Sequence, residues 1–370
     1  MNSIGIFFSL LLILAGCSSL NTELAISQKN EPRAKVNLPS EKIPEKKPDS
    51  SLKAEDSYIR IVTPVNMSVK KEDRVPITVQ VKGKPLDTIR ILVDKKEQFA
   101  VQTEPSKAFY CRTLKLQNGL NIVEVEGYYE NQVAGKAGLN IYVVSRLDKQ
   151  YKYPSRKYQK TFFHTARNEA VCKKCHDMRS NEVKNRPFKD PTTSNCYTCH
   201  AGIAEHKHLH GPAKEWLCGA CHTGKTGYLN RQDEGKSKYT FPDPIGDTCL
   251  DCHTKERKVW SRKKILHEPF AVGQCYKCHN PHASDYQDLL RGKVNDVCTS
   301  CHASKKIEGH IVGTFKTRRS HPVSGHKDPR NPGRELRCAS CHNPHASNTP
   351  FLTQNDYTKD KILCTMCHKK

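Results

Sequence analysis

The chain has 370 residues, with 61 Lys plus Arg against 38 Asp plus Glu and a formal net charge of +23. Hydrophobic residues make up 36% and the mean hydropathy is −0.71, whereas a soluble domain usually runs near 45–50% apolar. This excludes an ordinary cytosolic enzyme and a polytopic membrane protein, and it leaves part of the chain to be held together by something other than side-chain packing. The length alone suggests about two domains; the 18 cysteines and 18 histidines are the second anomaly.

Ile4 to Gly16 is an uncharged apolar run of 13 residues, too short to span a bilayer as a helix, and it reads as the h-region of an export signal. Leu14-Ala15-Gly16-Cys17 resembles the lipobox of bacterial lipoproteins, although Met1-Asn2-Ser3 lacks the usual positive charge. The resemblance implies that residues 1–16 are a signal peptide and that Cys17 carries the lipid. With Ser18 next, it implies anchoring at the outer membrane, on the periplasmic or cell-surface face. Residues 17–56 are rich in Lys, Glu, Pro, Asn and Ser, a composition that cannot repay ordering entropy, and read as a disordered tether.

From 57 to 147 the pattern changes to period two. Ile59 and Ile61, Ile77 to Val81, Ile89 to Val93, Ile122 to Val125, and Ile141 and Val143 form short β-branched runs. Lys82-Gly83-Lys84-Pro85, Gln117-Asn118-Gly119 and Glu130-Asn131-Gln132 separate them as turns. Six or seven short strands predict a small antiparallel β-sandwich. Leu114 to Asn121 looks like the strand-turn-strand of bacterial immunoglobulin-like modules, which space or dock rather than catalyse. Cys111 shares strand parity with Phe109, which predicts a small buried hydrophobe rather than a reactive thiol. Residues 148–160, with Tyr151-Lys152-Tyr153-Pro154-Ser155-Arg156-Lys157-Tyr158, have the look of a basic RNA arm but read as a solvated linker.

Residues 161–370 hold eight copies of one motif. They are Cys172/Cys175/His176, Cys196/Cys199/His200, Cys218/Cys221/His222 and Cys249/Cys252/His253, then Cys275/Cys278/His279, Cys298/Cys301/His302, Cys338/Cys341/His342 and Cys364/Cys367/His368. Each is a c-type haem attachment signature: two thiols three positions apart meet the vinyl groups on one porphyrin edge, and the adjacent His turns beneath the iron as proximal ligand. Zinc favours paired Cys-x-x-Cys but has no use for a His after every second Cys, and chance would supply eight with a probability on the order of 10⁻¹¹. Disulfides leave the histidines unexplained. Eight covalent haem c groups are predicted.

Ten histidines remain for the distal side of the irons: His164, His206, His208, His210, His267, His282, His310, His321, His326 and His345. His164, His210 and His267 lie eight residues before the first Cys of a motif. His210-Gly-Pro, His267-Glu-Pro and His321-Pro share a following proline. His282 and His345 sit in identical Cys-His-Asn-Pro-His-Ala-Ser heptapeptides. His206, His208, His310 and His326 have no such offset, and two of these four are surplus if every iron is six-coordinate. Methionine is nearly excluded, since Met366 lies inside its own attachment loop, so low reduction potentials are expected.

These offsets divide 161–370 into four tandem two-haem units, beginning near His164, His210, His267 and His321. The region resembles the doubled-CxxCH multihaem cytochromes of metal- and sulfur-reducing bacteria. The resemblance is strongest in the last two units and departs in the first two, where Asp177-Met178-Arg179-Ser180 and Thr223-Gly224-Lys225-Thr226 replace the Asn-Pro-His segment. His206 and His208 are the candidates for the ligands missing there. The haems must supply much of the core, with short helices and mostly irregular chain between motifs. Their propionates offset part of the basicity. Gly219 to Thr226 fits the P-loop pattern but follows no strand and spends its variable positions on Cys221 and His222, so it binds no nucleotide.

The resemblance implies electron transfer, not catalysis, through mostly bis-His haems between periplasmic or outer-membrane partners and extracellular acceptors such as metal oxides. It implies redox proteins and an outer-membrane porin as partners, a lipid anchor, and no nucleic acid. The competing enzyme reading is an octahaem reductase of a nitrogen or sulfur oxyanion, which needs one haem with an open face; the first two units are where it would lie. A third reading, an adhesin built on the β-module, leaves eight cofactors without a purpose.

Overall fold

The computed structural model describes residues 46–83, 85–183, 186–222, 238–306, 310–313, 320–354, 363 and 365–368. The export signal, Cys17 and Cys364 lie outside the described residues. Lys46–Lys370 form one compact unit.

The β-branched runs become β1 (Ile59–Thr63), β2 (Ser68–Lys70), β3 (Arg74–Val81), β4 (Thr88–Val93), β5 (Lys96–Gln102), β6 (Phe109–Lys115), β7 (Gly119–Tyr129) and β8 (Gln132–Val143), followed by β9 (Gln159–Lys160). They make two sheets, β1-β3-β6 and β5-β4-β7-β8-β2-β9. One apolar cluster is drawn from both, with Ile59, Ile77, Val79 and Leu114 from the first and Ile89, Ile91, Val123, Val125, Leu139 and Ile141 from the second, all fully buried. The alternation along each strand puts these residues on one face and water on the other.

The structure differs from the sequence expectations in several places. The pairing is not purely antiparallel, because β2 runs parallel to both β8 and β9. The β5 edge strand has no β-branched run to announce it; it is folded back by Asp94 and Lys95, both at positive φ, as a tight two-residue hairpin turn requires. The Leu114–Asn121 segment is not a hairpin but a crossing between sheets, since β6 and β7 belong to different ones. Fully buried Asn121 holds that crossing, accepting from Gln117 N (2.8 Å) and donating to the Gln117 and Gly119 carbonyls (2.8 and 3.0 Å). Finally, residues 46–56 of the expected tether are docked: Asp49 exchanges hydrogen bonds with the Asn140 side chain, and Lys53 O accepts from Gly138 N. The segment 148–160 is likewise pinned, with Tyr151 packed over Gly119, Gln159 N bonded to Met67 O, and the Tyr158 ring 5.2 Å from that of Tyr142.

Cys111 also departs from expectation. Core parity on β6 belongs to Tyr110 and Leu114, because the Tyr110 hydroxyl accepts from Glu104 N and can therefore be buried. Cys111 is turned to the opposite face with Thr78 (Oγ1 to Sγ, 3.4 Å). That face is covered by the cysteine-rich region: Gly202 sits so close that a Cβ there would meet Thr113 Cγ2 at 2.5 Å, and Arg74 Nε pairs with Glu205 at 3.2 Å.

The cysteine-rich region is a series of short turns. Its longest described helix is Thr254–Trp260. Its strands are fragments: β10 (His208–Leu209), β11 (Ile265–Leu266), β12 (Ala283–Ser284), β13 (His310–Gly313), β14 (Ser320–His321), β15 (Lys327–Asp328), β16 (Asn331–Glu335) and β17 (Ala346–Ser347). Among the described residues only Trp216, Ile245, Ala283, Val297, Leu336 and Ala346 are buried apolar groups outside the sheet-rich region, and they form no common cluster. Side-chain packing thus holds the first half of the chain and not the second. Replacing Asn121 by Ala should leave buried backbone groups unpaired and cost about 1–3 kcal/mol; chemical denaturation of the full chain followed through the β-sheet circular dichroism measures it.

Candidate functional site

Each of the first seven motifs folds as one tight helical turn. The His backbone N–H donates to the carbonyl of the first Cys, at 2.8 Å in His176→Cys172 and His222→Cys218 and 2.9–3.1 Å in His200, His253, His279, His302 and His342. The i to i−4 bond places both sulfurs and the imidazole of a motif about a single turn.

The cysteines expected to carry thioethers are thiols in no disulfide at every described position, from Cys172 in the first motif to Cys341 in the seventh and Cys367 in the eighth. A thiol is the form from which a vinyl group is attached, whereas a disulfide would block it. Cys341 and Cys367 are both half-buried. Cys341 ends the short helix Cys338–Cys341, and its carbonyl accepts from Gln354 N at 2.6 Å, which ties the seventh motif to the segment after β17. In the eighth motif Cys367 directly precedes His368, whose ring is placed opposite another imidazole.

Seven motif histidines face a second imidazole across a nearly constant gap. Ring centroids are 6.1 Å apart for His164 and His200, 6.2 Å for His210 and His253, and 6.0 Å for His222 and His282. The spacing is 6.1 Å for His267 and His302, 6.0 Å for His279 and His345, 6.1 Å for His310 and His342, and 6.0 Å for His321 and His368. Two metal–imidazole bonds of about 2 Å each, plus the reach from nitrogen to ring centre, span about 6 Å. The gap therefore suits one iron between two imidazoles. Among the described residues no three or more His, Cys, Asp or Glu converge as a tetrahedral zinc site would require.

The second shell points the same way. His210 and His267 each have Nδ1 2.9 Å from a proline carbonyl, Pro281 and Pro344. His222, His279 and His342 have Nδ1 at 2.6–2.7 Å from the carbonyls of Tyr239, Asp288 and Phe351. His321 Nδ1 is 2.9 Å from Pro322 O. Each carbonyl accepts a hydrogen bond from Nδ1–H, which keeps the proton on that nitrogen and leaves Nε2 unprotonated for a metal. Burial pushes His200, His282 and His345 down to about 4, which keeps these three imidazoles neutral. The residues fit covalent bis-His haem c.

The pairing follows a rule that the tandem reading did not contain. Within every unit the leading His faces the second motif: 164 with 200, 210 with 253, 267 with 302, 321 with 368. The first motif is completed by the next unit, whose Pro-His-Ala-Ser segment supplies the opposing ring, as His282 does for His222 and His345 for His279. That segment works twice. In the pairs β10–β12 and β11–β17, His210 N and His267 N donate to the carbonyls of His282 and His345 (2.9 Å each), and the prolines before these take the Nδ1 bonds. The units therefore interlock. At the C-terminal end, where no further unit follows within the sequence, β13 brings His310 to His342.

At the N-terminal end the second unit has no Pro-His, and the first unit makes its own arrangement. Glu169, fully buried, takes the place of the proline carbonyl: its Oε1 is 3.2 Å from His164 Nδ1, while Oε2 accepts from Lys238 (2.7 Å) and lies 3.4 Å from Lys173. Burial pushes the Glu169 carboxyl up, but the bonds from Lys238 and His164 outweigh it and hold the group below its usual range. The expected candidates His206 and His208 are not brought opposite a motif ring. His206 Nδ1 is 3.3 Å from Asp285, and His208 lies in β10. His326 is exposed. Two further neighbours escaped sequence reasoning. Trp260 stacks on His345 at 4.1 Å, and its basic helix carries no motif to mark it; Glu169 is an ordinary residue in a four-residue helix.

Neighbouring motifs touch in sequence order. Cys196 lies beside Cys218, Cys249 beside Cys275, and Cys298 beside Cys338, each pair bringing the second motif of one unit to the first of the next. Within units, Cys221 lies near Cys252 and Cys278 near Cys301, and Cys199 senses Cys172.

Two measurements follow. Glu169→Gln keeps an acceptor for His164 but removes its charge, which makes the imidazole a weaker donor; one reduction potential should rise by about 40 mV, equivalent to about 1 kcal/mol, with the others unmoved in a potentiometric titration. The facing rings are within 9–13° of parallel for His210/His253, His222/His282 and His279/His345 but at 90° for His321/His368. Perpendicular ligand planes leave two iron orbitals close in energy, so the oxidised protein should show one very anisotropic low-spin EPR signal beside rhombic ones, and His321→Met should remove it.

The family model described as the doubled CXXCH motif matches residues 267–307 and 331–370. Among curated proteins, the multiheme cytochrome MtrA of Shewanella baltica (strain OS185) is 28% identical over 193 residues, covering 47% of this chain and 51% of that protein. The chain thus spans about half the length of this relative. Among solved structures, the fibronectin(III)-like modules of Clostridium thermocellum CbhA share 17% identity over 23% of this chain and 94% of theirs, with a TM-score of 0.19. An FMN-binding β-glucuronidase from Facaelibacterium prausnitzii L2-6 shares 14% identity over 27% of this chain and 14% of its own, at 0.20. Scores this low carry no structural argument. Among the described residues no helix is long and apolar enough to cross a membrane.

Proposed function

The chain is a doubled-CXXCH multihaem c-type cytochrome, and from that premise we propose that it carries electrons along eight covalent haem c sites, one per motif. The observation that carries this reading is the set of seven facing imidazole pairs. Haem c, when bound, supplies a one-electron ferric–ferrous couple whose potential axial ligands set. The chain's own residues do the rest. Fourteen histidines in seven facing pairs would hold the iron from both sides, which suits transfer and would leave those sites no position for a substrate. Backbone carbonyls fix the rings so that little rearranges between oxidation states. Thiol contacts between consecutive motifs support a row of sites ordered as in the sequence, and the sandwich covers one flank through Thr113 and Gly202.

The proposed setting is outside the cytoplasm, with Cys17 as a lipid anchor and the chain at the outer membrane. Its proposed partners are redox proteins, a porin, and extracellular metal acceptors. The twofold use of the Pro-His-Ala-Ser segment in the second and third units, and the facing of His310 with His342 in the fourth, support the carrier over the oxyanion reductase there, because both faces would be filled. The purified full chain should carry eight haems by pyridine haemochrome. Replacing Cys249 and Cys252 by Ser should lower the count to seven and, by opening a gap in mid-row, slow electron passage from a reduced donor to a ferric acceptor in stopped-flow. An unchanged rate would refute the in-line order.

A further inference from the structure

The first motif is the exception to the interlocking rule. All 18 histidines fall among the described residues, and fourteen of them are taken by the seven pairs. His176 faces no imidazole, and its Nδ1 has no hydrogen-bond partner among the described residues, whereas His222, His279 and His342, its counterparts in the later units, have both. The cause lies in the next unit. By the rule, His176 awaits a ring from the segment after His222, and that segment reads Thr223-Gly224-Lys225 where the third and fourth units read Asn-Pro-His. Of the three spare histidines, His206 is held at Asp285 (3.3 Å), His208 lies in β10 paired with Ser284, and His326 is exposed with its carbonyl bonded to Leu336 N. The first unit replaced one of the two services of the missing segment, by setting Glu169 on His164, and not the other. His176 is itself exposed.

We infer that the haem on Cys172 and Cys175 has a protein imidazole on one face only, that of His176, and that its other face binds a small exogenous ligand. The class is a compact π-acceptor such as carbon monoxide or nitric oxide, which ferrous five-coordinate haem takes directly and which bis-His haem excludes. Among the described residues His176 Nδ1 has no acceptor, which would make it the weakest donor of the first-motif set and favour a high-spin iron. The inference rests on the haem reading proposed above and adds to it a ligand-binding site at the N-terminal end of the row.

The test is titration of the dithionite-reduced full chain with carbon monoxide, alongside a haem count and peptide mass mapping. The expected result is one equivalent of carbon monoxide per chain carrying eight haems, with one high-spin EPR signal in the oxidised protein. In Cys172→Ser/Cys175→Ser the haem count should fall to seven and carbon monoxide uptake to zero. Lys225→His, which restores the residue that His282 and His345 represent, should abolish uptake with eight haems retained; Lys225 itself lies outside the described residues. Eight low-spin haems with no uptake, from ligation by lysine or by His208, would overturn this inference alone, as would uptake that survives loss of Cys172 and Cys175. A peptide carrying Cys172 and Cys175 without haem would instead overturn the count of eight.

Discussion

The cysteine-rich half of this chain depends on imidazole rings set about 6 Å apart across a shared centre. It has almost no apolar cluster of its own, and its longest described helix has seven residues. In an ordinary domain the entropy of ordering the chain is offset by burial of side chains. Here the side chains that would do so are concentrated in the two N-terminal sheets, and the remainder would be ordered by ligation and by contact with covalent haem. The low hydrophobic content is thus a division of labour between two kinds of core.

Ligand crossing explains why such short elements hold their places. The two-residue strands β11 and β17 would be marginal alone, yet they align His267 N with His345 O and His267 Nδ1 with Pro344 O at the same time. The repeated dipeptide Ala-Ser after each histidine belongs to this device: Ala283 and Ala346 are buried in the pairing, and the Ser284 and Ser347 hydroxyls donate to carbonyls of the turns that follow, Leu290 and Thr353. A carboxylate in place of a carbonyl at His164 gives the first unit a different electrostatic setting from the others.

What the sequence disclosed was what is local. The eight Cys-Cys-His motifs are contiguous, and the single helical turn is dictated by their spacing. The leading histidines carry a fixed offset and a following proline. The partner of each ring is a different matter, because His222 and His282 are joined only by the fold, and no offset within a unit connects them. The expectation that His206 and His208 would supply the first two units came from looking inside the unit, while the chain looks to the next one. In the sandwich, alternation located most strands but not β5, which is polar because it lies at the edge. Cys111 was placed on the wrong face because Phe109 was taken as the core residue, where the buried ring is Tyr110, made tolerable by its bond to Glu104.

The way each unit lends a ring to the one before it also gives the array a direction. A unit taken alone can pair its second motif with its own leading histidine, but its first motif finds a facing ring only in the unit that follows. Each such segment would close the site of the motif before it, and His310 faces His342 where no Pro-His-Ala-Ser segment follows in this sequence. Such a scheme can be lengthened or shortened by whole units in its interior without redesign, since every interior unit presents the same donor and needs the same donor.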